Sequence, residues 1–190
     1  IDEKIKTLKA TEQEAFIKLL KAEGKELKAA AINAFKYLGW TKAVDVDEYW
    51  KNVIRDKEED IWLIEDSDQP IEVSLRKGFL ILVVVRSSRN WAADDDCIRL
   101  QRFKGRRMQE FDNTRMKGLL LGNYFNQQEA RLRNNPFSQF QIEEAEKDGN
   151  ALLTTYELFK AIKAEKEGLI TKEEIRRQLK ERSGLIQFNL

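Results

Sequence analysis

The run "FLILVVV", residues 79–85, places seven apolar residues in a row with no polar position between them. A half-exposed strand alternates apolar and polar side chains; an unbroken β-branched run suits a central strand covered on both faces. That requirement points to an α/β protein with helices packed on each side of a sheet. The run is of strand length, far below the roughly 20 apolar residues that span a bilayer. It ends in Arg86 and the polar turn "SSRN". The open question is whether that exit carries a catalytic site.

Composition narrows the chemistry. The chain has 190 residues, enough for one domain with a real core. With 42% hydrophobic and 35% charged residues, it reads as soluble and globular with a heavily charged surface. No membrane partner is expected. The N-terminal "IDEKIKTLKA" is charged and is not a signal peptide. It starts on Ile1 rather than Met, so an upstream region of the same chain is expected. Cys97 is the single cysteine, which rules out an internal disulfide and favours a reducing, cytoplasmic setting. The absence of histidine excludes Ser-His-Asp and Cys-His catalysis, a Cys/His zinc finger and a histidine metal triad. With a net charge of +1, nucleic-acid binding would need a local basic patch.

Along the chain, residues 2–26 read as an amphipathic helix with Ile5, Leu8, Ala15 and Leu19 on one face. It is either the end of a coiled coil entering from upstream or a helix packed on its own domain. "KELKAAAINAFKYLGW" gives a second helix with a small-residue face, Leu27, Ala30, Ala31, Ala34 and Leu38, stopping at Gly39. "VDVDEYWKNVIRDKEED" reads as a short helix or loop. Three strand-like runs follow: "DIWLIED", "IEVSLR" and "FLILVVVR", with the turn "DSDQP" after the first. In "IEVSLR" the alternation puts Ile71, Val73 and Leu75 inward against Glu72, Ser74 and Arg76. Asp94–Asp96 suit the N-terminus of a helix over 93–111. "KGLLLGN" reads as another buried strand. Ser138 caps a further helix, a short strand and a Thr155-capped helix follow, and Thr171 with Glu174 forms a capping-box pattern for the last helix. "LIQF" is a closing strand or a tail. The expected organisation is an N-terminal helix over 1–23 and one domain over 24–190.

The order helix, strand, strand, strand, helix, strand over residues 25–122 resembles the core of the PD-(D/E)xK, or restriction-endonuclease-like, nuclease superfamily. Particular phrases are similar to a bacterial branch of it: "GKELKAAAINAFKYLGW" resembles the opening helix, "EEDIWLIED" the strand with the metal-binding aspartate, and "KGFLILVVVRSS" the strand that normally carries Glu-x-Lys. "KGLLLGNYF…ARLRNNPFS…ALLTTYELF" resembles the downstream half, which often has an Asn-His pair. The implied fold is a central mixed sheet flanked by helices, with an N-terminal helical extension. The implied chemistry is phosphodiester hydrolysis by water activated on Mg²⁺, held by hard oxygen ligands.

By this resemblance the aspartate is Asp60, the Glu position is Val84 and the Lys position is Arg86. The opening-helix Glu is replaced by Lys28, and the Asn-His pair by Asn123-Tyr124. Valine has no lone pair to give a metal, and a guanidinium stays protonated and cannot act as a base. A relocated ligand is possible in such a site: Glu72 is the first candidate, with Glu59 and Asp94 as others. Outside the resemblance, Asp60 also reads as an ordinary turn or cap residue.

"RLQRFKGRR" concentrates Arg99, Arg102, Lys104, Arg106 and Arg107, with Arg99, Arg102 and Arg106 on one helical face. Arg86 and Arg89 end the strand before it. The patch is either a phosphate-binding face, extended by "ARLR" at 130–133, or a solvated face paired with Asp94–Asp96 and Glu110. Trp40, Trp50 and Trp62 suit a core; Trp91 either packs or stacks on a base. The reading is a nuclease-like domain that has lost its hydrolytic site and binds nucleic acid or scaffolds a larger protein. Two alternatives stand beside it: an active Mg²⁺-dependent phosphodiesterase using Asp60 and Glu72, and an interaction module that forms a homo-oligomer through its N-terminal helix.

Overall fold

The computed structural model describes residues 2–55, 58–65 and 68–190, and only the backbone of residues 2 and 4–9. Ile5 and Leu8, expected on the apolar face of the first helix, therefore lie outside the described side chains, as does part of the "DSDQP" turn. The elements run α1 (Asp2–Lys21), α2 (Gly24–Tyr37), β1 (Lys42–Asp45), α3 (Val46–Tyr49), β2 (Ile61–Ile64), α4 (Ile71–Lys77), β3 (Leu80–Ser87), α5 (Asp94–Phe111) and β4 (Met116–Asn123). They continue with α6 (Gln139–Lys147), β5 (Ala151–Thr154), α7 (Thr155–Lys166), α8 (Lys172–Glu181) and β6 (Gly184–Leu185).

The six strands lie in sequence order in one mixed sheet. β1, β2 and β3 are antiparallel, and β3 to β6 are parallel. The apolar run is the expected central strand. Ile81, Val83 and Val85 point into one core with Leu27, Ala31, Leu158 and Ile162 of α2 and α7. Val84 points the other way, into a cluster with Leu100 and Phe103 of α5 and with Tyr124 and Phe137. Leu80 and Leu82 share a third cluster with Trp62 and Phe111. Both faces of the sheet are thus dry, which is why β3 needs no polar alternation.

Several boundaries differ from the sequence expectation. Residues 71–77 form α4 rather than a strand. Pro70 stands just before it and Gly78 just after, and Ile71 and Leu75, four apart, pack on the Trp62 cluster. Val73, expected inward, is exposed. The third strand is instead β1, whose four residues bury only Ala43 fully. Asp45 ends β1 and at once caps α3, accepting from the backbone N–H groups of Asp47 and Glu48. Thr154, not Thr155, caps α7. Ser138 closes a full capping box with Gln141, and Thr171 accepts from the Glu174 N–H. From Phe16 on, α1 is no detached extension: Phe16, Leu19 and Ala22 are buried in the same core as α2 and α7.

Candidate functional site at the end of β3

Asp60 sits immediately before β2. Its N–H donates to the Val83 carbonyl at 2.9 Å, and its carboxylate accepts from the Val85 N–H at 2.7 Å. These two bonds flank Val84 in the chain and fix Asp60 against the end of β3. Val84 is fully buried in its apolar cluster. Two residues on, the Arg86 guanidinium lies 3.6 Å from the Asp60 carboxylate. Its Nε donates to Asp96 at 3.1 Å and a terminal nitrogen donates to the Val85 carbonyl at 3.0 Å. Asp96, in the first turn of α5, also accepts from the Tyr124 hydroxyl at 3.1 Å. One guanidinium therefore joins two carboxylates from two elements.

The electrostatics follow from that geometry. Burial raises the Asp60 carboxyl above its ordinary value, and the Val85 N–H, Arg86 and Lys28 partly offset it. Burial, then the Asp96 charge and hydrogen bond, holds the Tyr124 phenol well above its ordinary range, so it stays a donor. On the α2 side, Lys28 donates to Asp45 at 2.8 Å and to Asp47 at 2.9 Å. Burial alone would lower its pKa, but these two acids raise it instead. The ammonium thus stands among acids at the point where the resemblance puts an acid.

This donor set does not fit a hard divalent ion. A site for Mg²⁺ calls for several oxygen ligands in an octahedron. Here Val84 is buried in an apolar cluster, Asp60 is faced by a guanidinium, and among the described residues no three acids or cysteines converge. The acids considered as relocated ligands are committed elsewhere. Glu72, expected on a strand beside Asp60, is on α4, in the connection at the end of the β2–β3 hairpin away from Asp60; it is exposed and accepts from the Tyr49 hydroxyl at 3.1 Å. Glu59 is buried, accepting from Trp62 and Arg107 at 2.7 Å each. Asp94 accepts from Gln141 at 2.7 Å.

The basic helix α5 divides. Arg107 is buried and paired with Glu58, Glu59 and Glu110, with its guanidinium 4.5 Å from the Trp50 ring. It belongs to the core and cannot meet a phosphate there. Arg106 pairs with Glu58, and Arg99 with Asp95 at 2.6 Å. Arg102 and Arg89 are exposed and have no acid within ion-pair distance among the described residues. Trp40 and Trp62 are core residues, while Trp91 is 60% exposed and packs edge-on against Phe125.

Sequence reasoning brought Asp60, Val84 and Arg86 to one place. It did not find Asp96 and Tyr124 as partners of Arg86, nor Asp45 and Asp47 around Lys28. The alternating acids of "VDVDE" are the one local signal for the latter pair. Asn123 is a buried hub, donating to the Ala22 carbonyl and accepting from Arg133 and Thr155.

No family model and no curated protein matches this chain. Among solved structures, that of the restriction endonuclease FokI superposes on 90% of this chain with a TM-score of 0.57 at 16% identity. The match covers 30% of the FokI chain, so this chain spans less than a third of that protein's length. At that identity the likeness speaks for the fold alone. The mixed six-stranded sheet, its flanking helices and this superposition make the fold restriction-endonuclease-like.

Proposed function

We propose that this is a nuclease-fold domain that does not hydrolyse phosphodiesters and that binds nucleic acid. The observation that carries the first half is the pair Val84 and Arg86: an apolar side chain fully buried in the α5 cluster at the position where the resemblance puts the Glu, and a guanidinium seated between Asp60 and Asp96. With its carboxylate held this way, Asp60 serves structure. The second half is supported by the fold and by two exposed cations, Arg89 just after β3 and Arg102 on α5.

Cleavage and binding are measured together, on labelled single and double strands, with Mg²⁺ and Mn²⁺, across salt. The expected result is no cleavage with either metal, and affinity that falls steeply as salt rises, because neutralised phosphates release counterions. Arg89→Ala with Arg102→Ala weakens binding about threefold, as losing one or two exposed phosphate contacts does. Metal-dependent cleavage that disappears in Asp60→Ala overturns the non-hydrolytic half. Affinity indifferent to salt, or none, overturns the binding half.

A further inference from the structure

The α5 face, the obvious candidate for phosphate contact, is largely neutralised from within. The cleft beside Lys28, about 560 Å³, is neutral as well. Its five cations, Lys25, Lys28, Lys51, Arg55 and Arg107, meet five acids, Asp45, Asp47, Glu48, Glu58 and Glu59.

The carboxyl edge of the parallel strands is different. Register places Arg86, Gly122 and Thr154 in one row across β3, β4 and β5. Beyond that row lie two adjoining cavities that share Arg133 and Tyr156. One, about 440 Å³, runs between the end of α1 and the segment 126–133; the other, about 170 Å³, lies over Thr154 and the start of α7. Together they hold four cations, Lys21, Arg131, Arg133 and Lys160, against two acids, Glu129 and Glu157. In a chain of net charge +1 this is a concentrated local excess. Crevices outside the carboxyl ends of parallel strands are where open α/β sheets take ligands.

The cations differ in role. Arg133 is spent on structure, donating to Asn123 and to the carbonyls of Leu20 and Gln128, which holds α1 to the segment after β4. Lys21 and Arg131 are exposed, and Arg131's pair with Glu129 lies at the surface, where solvent weakens it. Tyr156, half-buried, lies where the two cavities meet, with the Lys160 ammonium 5.2 Å from its ring; Lys160 is itself paired with Glu157 at 2.7 Å, its side chain still 40% exposed. The edge is continuous with the remnant site: the Ser88 N–H donates to the Asn123 carbonyl at 3.1 Å, and Asn126 donates to the Ser88 carbonyl at 3.2 Å. The exposed Arg89 and Trp91 follow directly.

We infer that this carboxyl-edge cleft, with Lys21, Arg131 and Lys160 around the Tyr156 ring, binds an unpaired nucleic-acid strand. The inference rests on the nucleic-acid reading above and names its surface and strand type. An aromatic ring recessed between cations offers a stacking platform to a base already out of a duplex, while a duplex keeps its bases stacked on one another. The cations meet the flanking phosphates, and Trp91 gives the same edge a second exposed aromatic.

The test uses the full chain and anisotropy of a fluorescein-labelled oligothymidylate, with a blunt duplex as comparison. Tyr156→Ala lowers single-strand affinity about tenfold, within what one stacked base contributes. Arg131→Ala with Lys160→Ala does the same and flattens the salt dependence by about two phosphates. Tyr156→Phe, which keeps the ring, binds like the parent and shows that the site still folds; circular dichroism checks the others. If the parent binds but the cleft variants bind equally well, the cleft is wrong and the nucleic-acid reading stands. If the parent prefers duplex, the strand assignment is wrong. If it binds neither at low salt, both readings fall.

Discussion

Arg107 shows how far one residue's role can depart from its local sequence. Within "FKGRR" it looks like its neighbours, yet its guanidinium is buried among Glu58, Glu59 and Glu110 and packs on Trp50. Glu110 is three residues on along α5, but Glu58 and Glu59 come from a segment about fifty residues upstream, where no spacing rule exposes the pairing. Removing one partner of a buried ion cluster strands the others without solvent. Arg107→Ala is expected to cost about 3–5 kcal/mol, read from urea unfolding. Arg102→Ala, on the exposed face, should stay within about 0.5 kcal/mol. Lys117 gives a residue-scale pH effect. It is buried at the start of β4 and donates to the carbonyls of Lys180 and Arg182. Burial, then the charges of Arg182 and Lys104, brings its pKa down to about 8. Between that value and its ordinary 10.5, the unfolded chain binds more protons than the folded one, so stability rises with pH across that window. The gain is on the order of 2 kcal/mol once solvent screening is allowed for, and Lys117→Met should abolish the slope.

At the scale of elements, the expected order of one helix, three strands, a helix and a strand is present, but with different members. "IEVSLR" is a helix, and "KAVD" supplies the strand. Two misreadings offset each other. A six-residue run with apolar residues at every second position also contains an i, i+4 pair, and Ile71 with Leu75 is the pair the fold uses. Pro70 and Gly78 were the available signals for a helix. β1 was invisible because four residues with a single buried side chain carry no period. The relocation of Glu72 follows directly from this exchange. By contrast, "FLILVVV" and "KGLLLGN" could be read because complete burial on both faces leaves no other arrangement. The β4 strand also meets a close approach: a Cβ at Gly122 would lie 1.9 Å from the Tyr124 ring. Gly122→Ala should displace that ring from Asp96 and lower the melting temperature by several degrees, about what a 1–2 kcal/mol overpacking loss gives in a chain of this size.

For the whole molecule, the division into an N-terminal helix and a separate domain becomes a gradient along α1. Phe16 and Leu19 are core residues, each worth about 2 kcal/mol of burial, and Arg133 ties the carbonyl of Leu20 to the segment after β4. Deleting residues 1–10 should leave a cooperative unfolding transition with little change in midpoint. Deleting residues 1–22 should remove it, as followed by circular dichroism. Self-association through α1 would therefore use its first turns. The framework was legible because burial pattern fixes topology. The site was legible only where strand register carries it, at Asp60, Val84 and Arg86. Its outer partners arrive from distant elements.

The Arg86 guanidinium between Asp60 and Asp96 has one more consequence. Acids drawn together at the rim of a sheet repel, and a protein that depends on a soluble ion to calm them loosens when that ion is chelated. Here the compensating charge is covalently attached to the backbone. The thermal midpoint of this domain should be the same in EDTA as in millimolar magnesium, and only replacing Arg86 by an uncharged side chain should make it respond.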